Sequence, residues 1–273
     1  MRLEKRLKKL NQRLPWRWSG DVCYIISFPK CGRTWLRILM GHYLTQHYRL
    51  PTDNYLRIQD YHQLDPRVPR IEVAHDDKPH KRRSEELVHS KNLYRRDKVV
   101  FLVRDPRDVL VSWFYARKYR EKGEKYPGTI HDFITEEHGS LASIVEYFNI
   151  WWAERDKPKS FLLLRYEDLH ARPEQTLKKV LDFLGVPNLD DALIAAAVEF
   201  ASFDNMRQLE EHDAFNMRTL RPENKADERS YKTRKGIVGD YKNVLSEADH
   251  AFVEAYIKDH LNPELGYSGN HVG

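Results

Sequence analysis

Three short, nearly continuous apolar runs, Val22–Phe28, Lys98–Val103 and Phe161–Tyr166, each lead into a segment of helical periodicity. Runs of this length read as buried strands, and Lys98–Val103, the most continuous, as one buried on both faces. Ile71–His75 reads as a further short strand. Beyond Pro29, the residues Leu36, Leu39, Met40, Tyr43, Leu44 and His47 share one face of a helix over Thr34–Tyr48. Beyond Val103, Asp105 and Pro106 stand as N-cap and first residue of another helix. Leu177, Val180, Leu181 and Leu184 define a helix over Pro173–Leu184, closed by Gly185. Ser140–Glu154, Asp190–Phe200 and Ser246–Leu261 complete the helical segments, the last opening on a Ser-x-x-Asp capping pattern. Repeated strand–helix alternation predicts a single α/β domain, a parallel β-sheet flanked by helices. Asn205–Lys235, charged and without period, reads as a long loop of the kind that forms lids.

The 273 residues suit one such domain. The longest apolar run is the seven residues Ala192–Val198, far short of the ~20 that cross a bilayer. The N-terminus has charge but no apolar signal core, so the expected location is cytoplasmic. Cys23 and Cys31, the only cysteines, make neither a disulfide framework nor a zinc site. Lys and Arg total 46 against 41 Asp and Glu, but the excess is local. Residues 1–20 hold seven basic side chains and one acid, leaving residues 21–273 near neutral. This arm carries Leu3, Leu7, Leu10 and Leu14 at helical spacing, which predicts an amphipathic helix packed on the body. Peripheral membrane contact is its sharper alternative. A near-neutral body argues against nucleic acid as the main partner.

Three segments have the character of anion sites. Pro29-Lys30-Cys31-Gly32-Arg33-Thr34-Trp35 joins a strand to a helix, where free N–H groups and the helix dipole converge. It lacks the Walker A spacing, and taken alone it reads equally well as a turn with surface charges. Arg104 stands at a strand's carboxyl end, with Ser112 eight residues on. Arg234-Lys235-Gly236 sets two cations before a glycine able to close over an anion. Cys31, between Lys30 and Arg33, raises the expectation of an acidified, oxidisable thiol, against the plainer reading of a small loop residue.

In order, these segments resemble the P-K-S-G-T-T-W, R-[ND]-P-[RK]-D-[VA]-x-V-S and R-K-G-x-x-G-D-[WY]-K-N motifs of the sulfotransferases that use 3′-phosphoadenosine 5′-phosphosulfate (PAPS) as donor. The third copy, Arg234–Asn243, is complete; the first has Cys31 for Ser and Arg33 for Thr. The resemblance implies a P-loop-like nucleotide-binding fold. It gives the 5′-phosphosulfate to Lys30, Cys31, Gly32, Arg33, Thr34 and Trp35, and the 3′-phosphate to Arg104, Ser112, Arg234, Lys235 and Gly236. Asp105 and Asp108 are left to capping and loop support. Tyr166, in a Tyr-Glu-Asp sequence, matches the family's adenine contact, as does the Ala201-Ser202-Phe203 element, in which Ala201 replaces a Thr; Trp35 offers a face to the purine.

Histidine is the usual base near neutrality. Among 13 histidines, His75 ends a strand at the family's position for the base. A Lys that the family places two residues earlier is Val73 here, which shifts more of the leaving-group charge onto Lys30. The implied catalytic pair is His75 and Lys30, with no metal. The cluster His75, Asp76, Asp77 and His80 has no ligand spacing. The acceptor is expected to be a small molecule or saccharide, through a hydroxyl or amine. A non-catalytic nucleotide-binding protein on the same fold and a P-loop nucleotide kinase are the rival readings. The family's K-T-V-E dimer motif is not evident after Asn243, so oligomeric state stays open.

Overall fold

The computed structural model describes residues 21–121, 123–214, 222–233 and 235–269. The basic arm, 1–20, and Arg234 lie outside these residues. Four strands, β1 (Cys23–Ser27), β2 (Ile71–Ala74), β3 (Lys98–Val103) and β4 (Ser160–Arg165), form one sheet in the order β2-β1-β3-β4. All three pairings are parallel, with Ile26 opposite both Ala74 and Phe101. The two inner strands explain the continuous apolar runs: Ile25, Ile26 and Val99–Val103 have no exposed surface. β4 is an edge strand and mostly half-buried, so the expectation of a buried strand holds there only at Leu164. It also ends at Arg165, and Tyr166 opens the next helix.

The helices form where their apolar spacing and caps place them. Those of six residues or more are α1 (Arg33–Tyr48), α2 (Pro106–Tyr119), α3 (Leu141–Ala153), α4 (Tyr166–Ala171), α5 (Pro173–Leu184), α6 (Asp191–Phe200), α7 (Phe203–Glu211) and α8 (Glu247–His260). Asp105, Asp190 and Ser246 each accept a backbone N–H at an N-cap, worth roughly 1 kcal/mol apiece. Gly185 ends α5 at φ 86°. Leu177, Val180 and Leu181 of α5 are fully buried, each contributing about 1.5–3 kcal/mol. α1 packs with α5 and α6, while α2 packs with α3. Phe101 stacks on Trp151 of α3 at 5.4 Å, tying that layer to the sheet.

One sequence expectation is corrected. The stretch from Asn205 is not all loop: α7 runs to Glu211, because Met206 and Glu210 are buried one turn apart. Its charges hid an amphipathic helix. The chain leaves β1 toward β2, then returns past β1 to β3. That reversal opens a crevice at the carboxyl ends of β1 and β3, the place where open α/β sheets bind ligands.

Candidate active site

The loop after β1 is built on two left-handed residues, Lys30 (φ 76°) and Gly32 (φ 91°). A side chain at Gly32 would meet the Tyr166 ring at 2.4 Å, so backbone and aromatic ring share space that only glycine leaves. Such alternation turns successive N–H groups toward one concavity and suits an anion. α1 begins immediately, at Arg33. Lys30 lines the cavity, and among the described residues its ammonium has no hydrogen-bond or carboxylate partner. Burial, then the charges of Arg120 and Lys232, hold its pKa well below the usual lysine range. Cys31 points the other way: its side chain is fully buried, and burial raises the thiol above its ordinary range. The expectation of an acidified thiol is therefore wrong; what Cys31 offers a ligand is its backbone.

Arg33 turns toward β2. Its guanidinium donates to the Ala74 carbonyl and approaches Nε2 of His75 at 2.6 Å. Nδ1 of His75 lies 2.9 Å from the Ser27 carbonyl. A carbonyl only accepts, so Nδ1 carries the proton and Nε2 the lone pair. That is the tautomer a general base needs. Burial first, then the Arg33 charge, lower the imidazole to about 3.

The second anion group sits above β3. Arg104 lies over the Tyr166 ring at 4.4 Å, and its Nη2 donates to Asp108 at 3.2 Å and to the Ile237 carbonyl at 3.3 Å. Its Nε is buried and, among the described residues, has no hydrogen-bond partner. Asp108, 2% exposed, also accepts from Gly239 N (2.8 Å) and Tyr241 N (3.2 Å). One carboxylate thus docks the third motif onto α2, the loop support expected of it, while Asp105 caps the helix. Lys235 pairs with Asp240 at 2.9 Å. Gly236, at φ 66°, packs so closely on Phe203 that an added Cβ would lie 2.4 Å from its ring.

An aromatic bracket joins these loops. Trp35 meets Tyr166 edge-on at 5.8 Å and donates from its indole N–H to the Ala201 carbonyl at 2.8 Å. Ala201, which lacks the hydroxyl of the family's Thr, acts through its backbone. His170 reaches the Gly236 carbonyl at 2.9 Å.

Lys30, Gly32, Arg33, Thr34, Trp35, His75, Arg104, Ser112, Tyr166, Phe203, Lys235 and Gly236 all line one cavity of about 1120 Å³. Of the residues singled out in the sequence, Cys31 and Ser202 do not line it, and Arg234 is outside the described residues. The cavity also takes in Val111, Trp113, Arg120, Met206, Glu223 and Lys232. Lys232 had a signal, as a cation two residues before the third motif. Arg120 had none. No group of three His, Cys, Asp or Glu that could hold a metal occurs among the described residues; Asp76 is taken up by Lys91 and Tyr94.

Comparison with known proteins agrees with this geometry. The family model for the sulfotransferase domain matches residues 21–264, and the chain belongs to that family. It is 29% identical to mouse sulfotransferase 1A1 over 253 residues, 88% of this chain and 84% of that protein. It is 25% identical to cytosolic sulfotransferase 16 of Arabidopsis thaliana, over 86% of this chain and 74% of that one. Among solved structures, mouse sulfotransferase SULT7A1 complexed with PAP superposes with a TM-score of 0.57 at 20% identity, covering 88% of this chain and 84% of that chain. Retinol dehydratase with retinol and PAP gives 0.60 at 20% identity, covering 91% and 82%. The P-loop-like fold expected from the motifs is thus found, and the protein is a PAPS-dependent sulfotransferase. No helix among the described residues is long and apolar enough to cross a membrane.

Proposed function

We propose that the cavity binds PAPS across the β1 and β3 loops and transfers its sulfuryl group to a hydroxyl or amine of a small molecule or saccharide. The observation that carries this reading is the convergence of His75, Lys30 and Arg104, from three separate segments, on one cavity. The residues present fit the donor. At Gly32 and Gly236 the loop backbones pack directly on the Tyr166 and Phe203 rings, which brings both loops against one aromatic corner, and Arg104 adds a cation to the same lining.

PAPS supplies the sulfuryl group when bound. Arg104, Ser112, Arg234, Lys235 and the Gly236 backbone hold the 3′-phosphate end, and the Lys30–Trp35 loop holds the other. Trp35, Tyr166 and Phe203 bracket the adenine, and Ser202 supports that corner. His75 Nε2 accepts the acceptor's proton, while Nδ1 stays tied to Ser27. Lys30 and the loop N–H groups stabilise charge growing toward the leaving phosphate. No step needs a metal ion, since these cations carry the neutralisation. Arg33 must leave Nε2 for His75 to work, and the anionic donor gives its guanidinium a stronger partner than a neutral imidazole.

The acceptor end, walled by Val111, Trp113, Met206 and Glu223, combines apolar faces with charge and suits an acceptor with both characters. A cytoplasmic location fits this function. A screen of phenols, sterols, amines and saccharides with PAPS as donor tests the reading; no sulfated product from any class, together with no binding of 3′,5′-ADP (PAP), would refute it.

A further inference from the structure

Lys232 stands outside every motif, yet its side chain lines the same cavity as Lys30, Arg33 and His75. Its backbone is clamped. Glu210, 1% exposed, accepts from Lys232 N, from Thr233 N at 2.8 Å and from Arg120 Nη1 at 3.0 Å. Arg207 donates to the Thr233 carbonyl at 2.8 Å and lies 3.3 Å over the Tyr231 ring. Residues 230–233 are thereby fixed between the end of α2 and α7. Among the described residues, the Lys232 ammonium makes no hydrogen bond or ion pair. It is near enough to Lys30 and His75 that its charge disfavours the protonated form of both. Burial and the charges of Arg120 and Arg33 bring its own pKa down to about 7. The nearby carboxylate, Glu210, partly offsets these charges but is already engaged by Arg120 and two backbone N–H groups, so a half-buried Lys232 cation costs the free protein stability. A ligand anion removes that penalty.

We propose that Lys232 is a second cation of the reaction centre, binding the sulfuryl oxygens during transfer, with Glu210 as the residue that positions it. The inference rests on the donor reading above. In the transfer, the acceptor oxygen or nitrogen bonds to sulfur as the bond between sulfur and the 5′-phosphate oxygen breaks. The proton passes to His75 Nε2, and the electron pair leaves with 3′,5′-ADP. Lys30 sits in the donor loop, whereas Lys232 comes from a separate element, so the sulfuryl group is held from two sides.

Lys232→Met, Lys232→Arg and wild type decide the matter, through turnover and through thermal shifts with PAPS and with 3′,5′-ADP, which lacks the sulfuryl group. Lys232→Met should lose roughly 100-fold in kcat, and Lys232→Arg should recover part of it. Without ligand, Lys232→Met should melt at a higher temperature than wild type. Its shift with 3′,5′-ADP should be near that of wild type, and the extra shift given by PAPS should shrink. Unchanged kcat, or a rise confined to the acceptor KM, overturns the proposal while leaving the donor reading intact. Failure of the wild type to bind either nucleotide overturns both.

Discussion

The Arg33 guanidinium caps the lone pair of His75 at 2.6 Å, so in the donor-free protein the base is neutral but obstructed. Burial and this neighbour lower the imidazole to about 3, from an ordinary value of ~6.5. Binding a polyanion draws Arg33 away and adds negative charge, so 3′,5′-ADP should raise the His75 pKa. Histidine NMR titration with and without the nucleotide checks this; an unchanged value would detach Arg33 from the donor site.

The same depression has a stability consequence. The unfolded chain binds a proton at this position below ~6.5, while the folded protein resists it down to about 3. The contribution is present above ~6.5 and is lost as pH falls between those values. His75→Gln should therefore flatten the acid side of the thermal-stability profile. The variant His75→Ala should lose at least ~10²-fold in turnover while keeping 3′,5′-ADP binding, because His75 holds none of the proposed phosphate positions. Near-wild-type turnover would remove His75 from its role.

Gly32 and Gly239 separate backbone strain from steric conflict. Both have positive φ, 91° and 82°, but a Cβ at Gly239 meets nothing within 4 Å, whereas at Gly32 it strikes Tyr166. Gly239→Ala should cost only about 1 kcal/mol. Gly32→Ala should cost more and also weaken nucleotide binding, through displacement of the ring beneath Arg104. Paired denaturant melts and calorimetric titrations with 3′,5′-ADP measure the difference.

Asp108 compensates Arg104 and anchors the loop that holds Gly239 and Tyr241. Asp108→Ala leaves a buried guanidinium and two backbone donors uncompensated, a loss of roughly 3–5 kcal/mol. Asp108→Asn retains one acceptor oxygen and should fall between this variant and wild type. Both should weaken 3′,5′-ADP binding more than they raise the acceptor KM; equal effects on the two would contradict the anchoring role.

Cys31, buried and with its thiol raised above the ordinary range, should resist alkylation by iodoacetamide in the native protein and react after unfolding. Activity should survive mild peroxide.

Much of this site was legible because its parts are local. Asp105-Pro106 writes its own helix start, Gly185 its helix end, and the first two anion segments are contiguous strings next to strands, the third a contiguous string of its own. What stayed hidden depends on pairing across the chain. The Arg33–His75 contact spans 42 positions and exists only because β1 and β2 are in register. Cys31 looked acidified because its sequence neighbours are cations; three-dimensional burial outweighs them. α7 was masked by charged residues that face solvent, and Glu210, the acid that fixes Lys232, looks in sequence like one more of them.

β1 and β3 are hydrogen-bonded neighbours, with Ser27 opposite Leu102, so the two loops that grip the proposed donor spring from backbones about 4.8 Å apart. The sheet works as a gauge. It sets the span between the 5′ and 3′ grips in main-chain geometry, which no single side-chain substitution rescales. The proposed acceptor walls belong to α2, α7 and the segment around Glu223, beyond that gauge, so the range of molecules sulfated can widen or narrow while the donor's dimensions stay fixed.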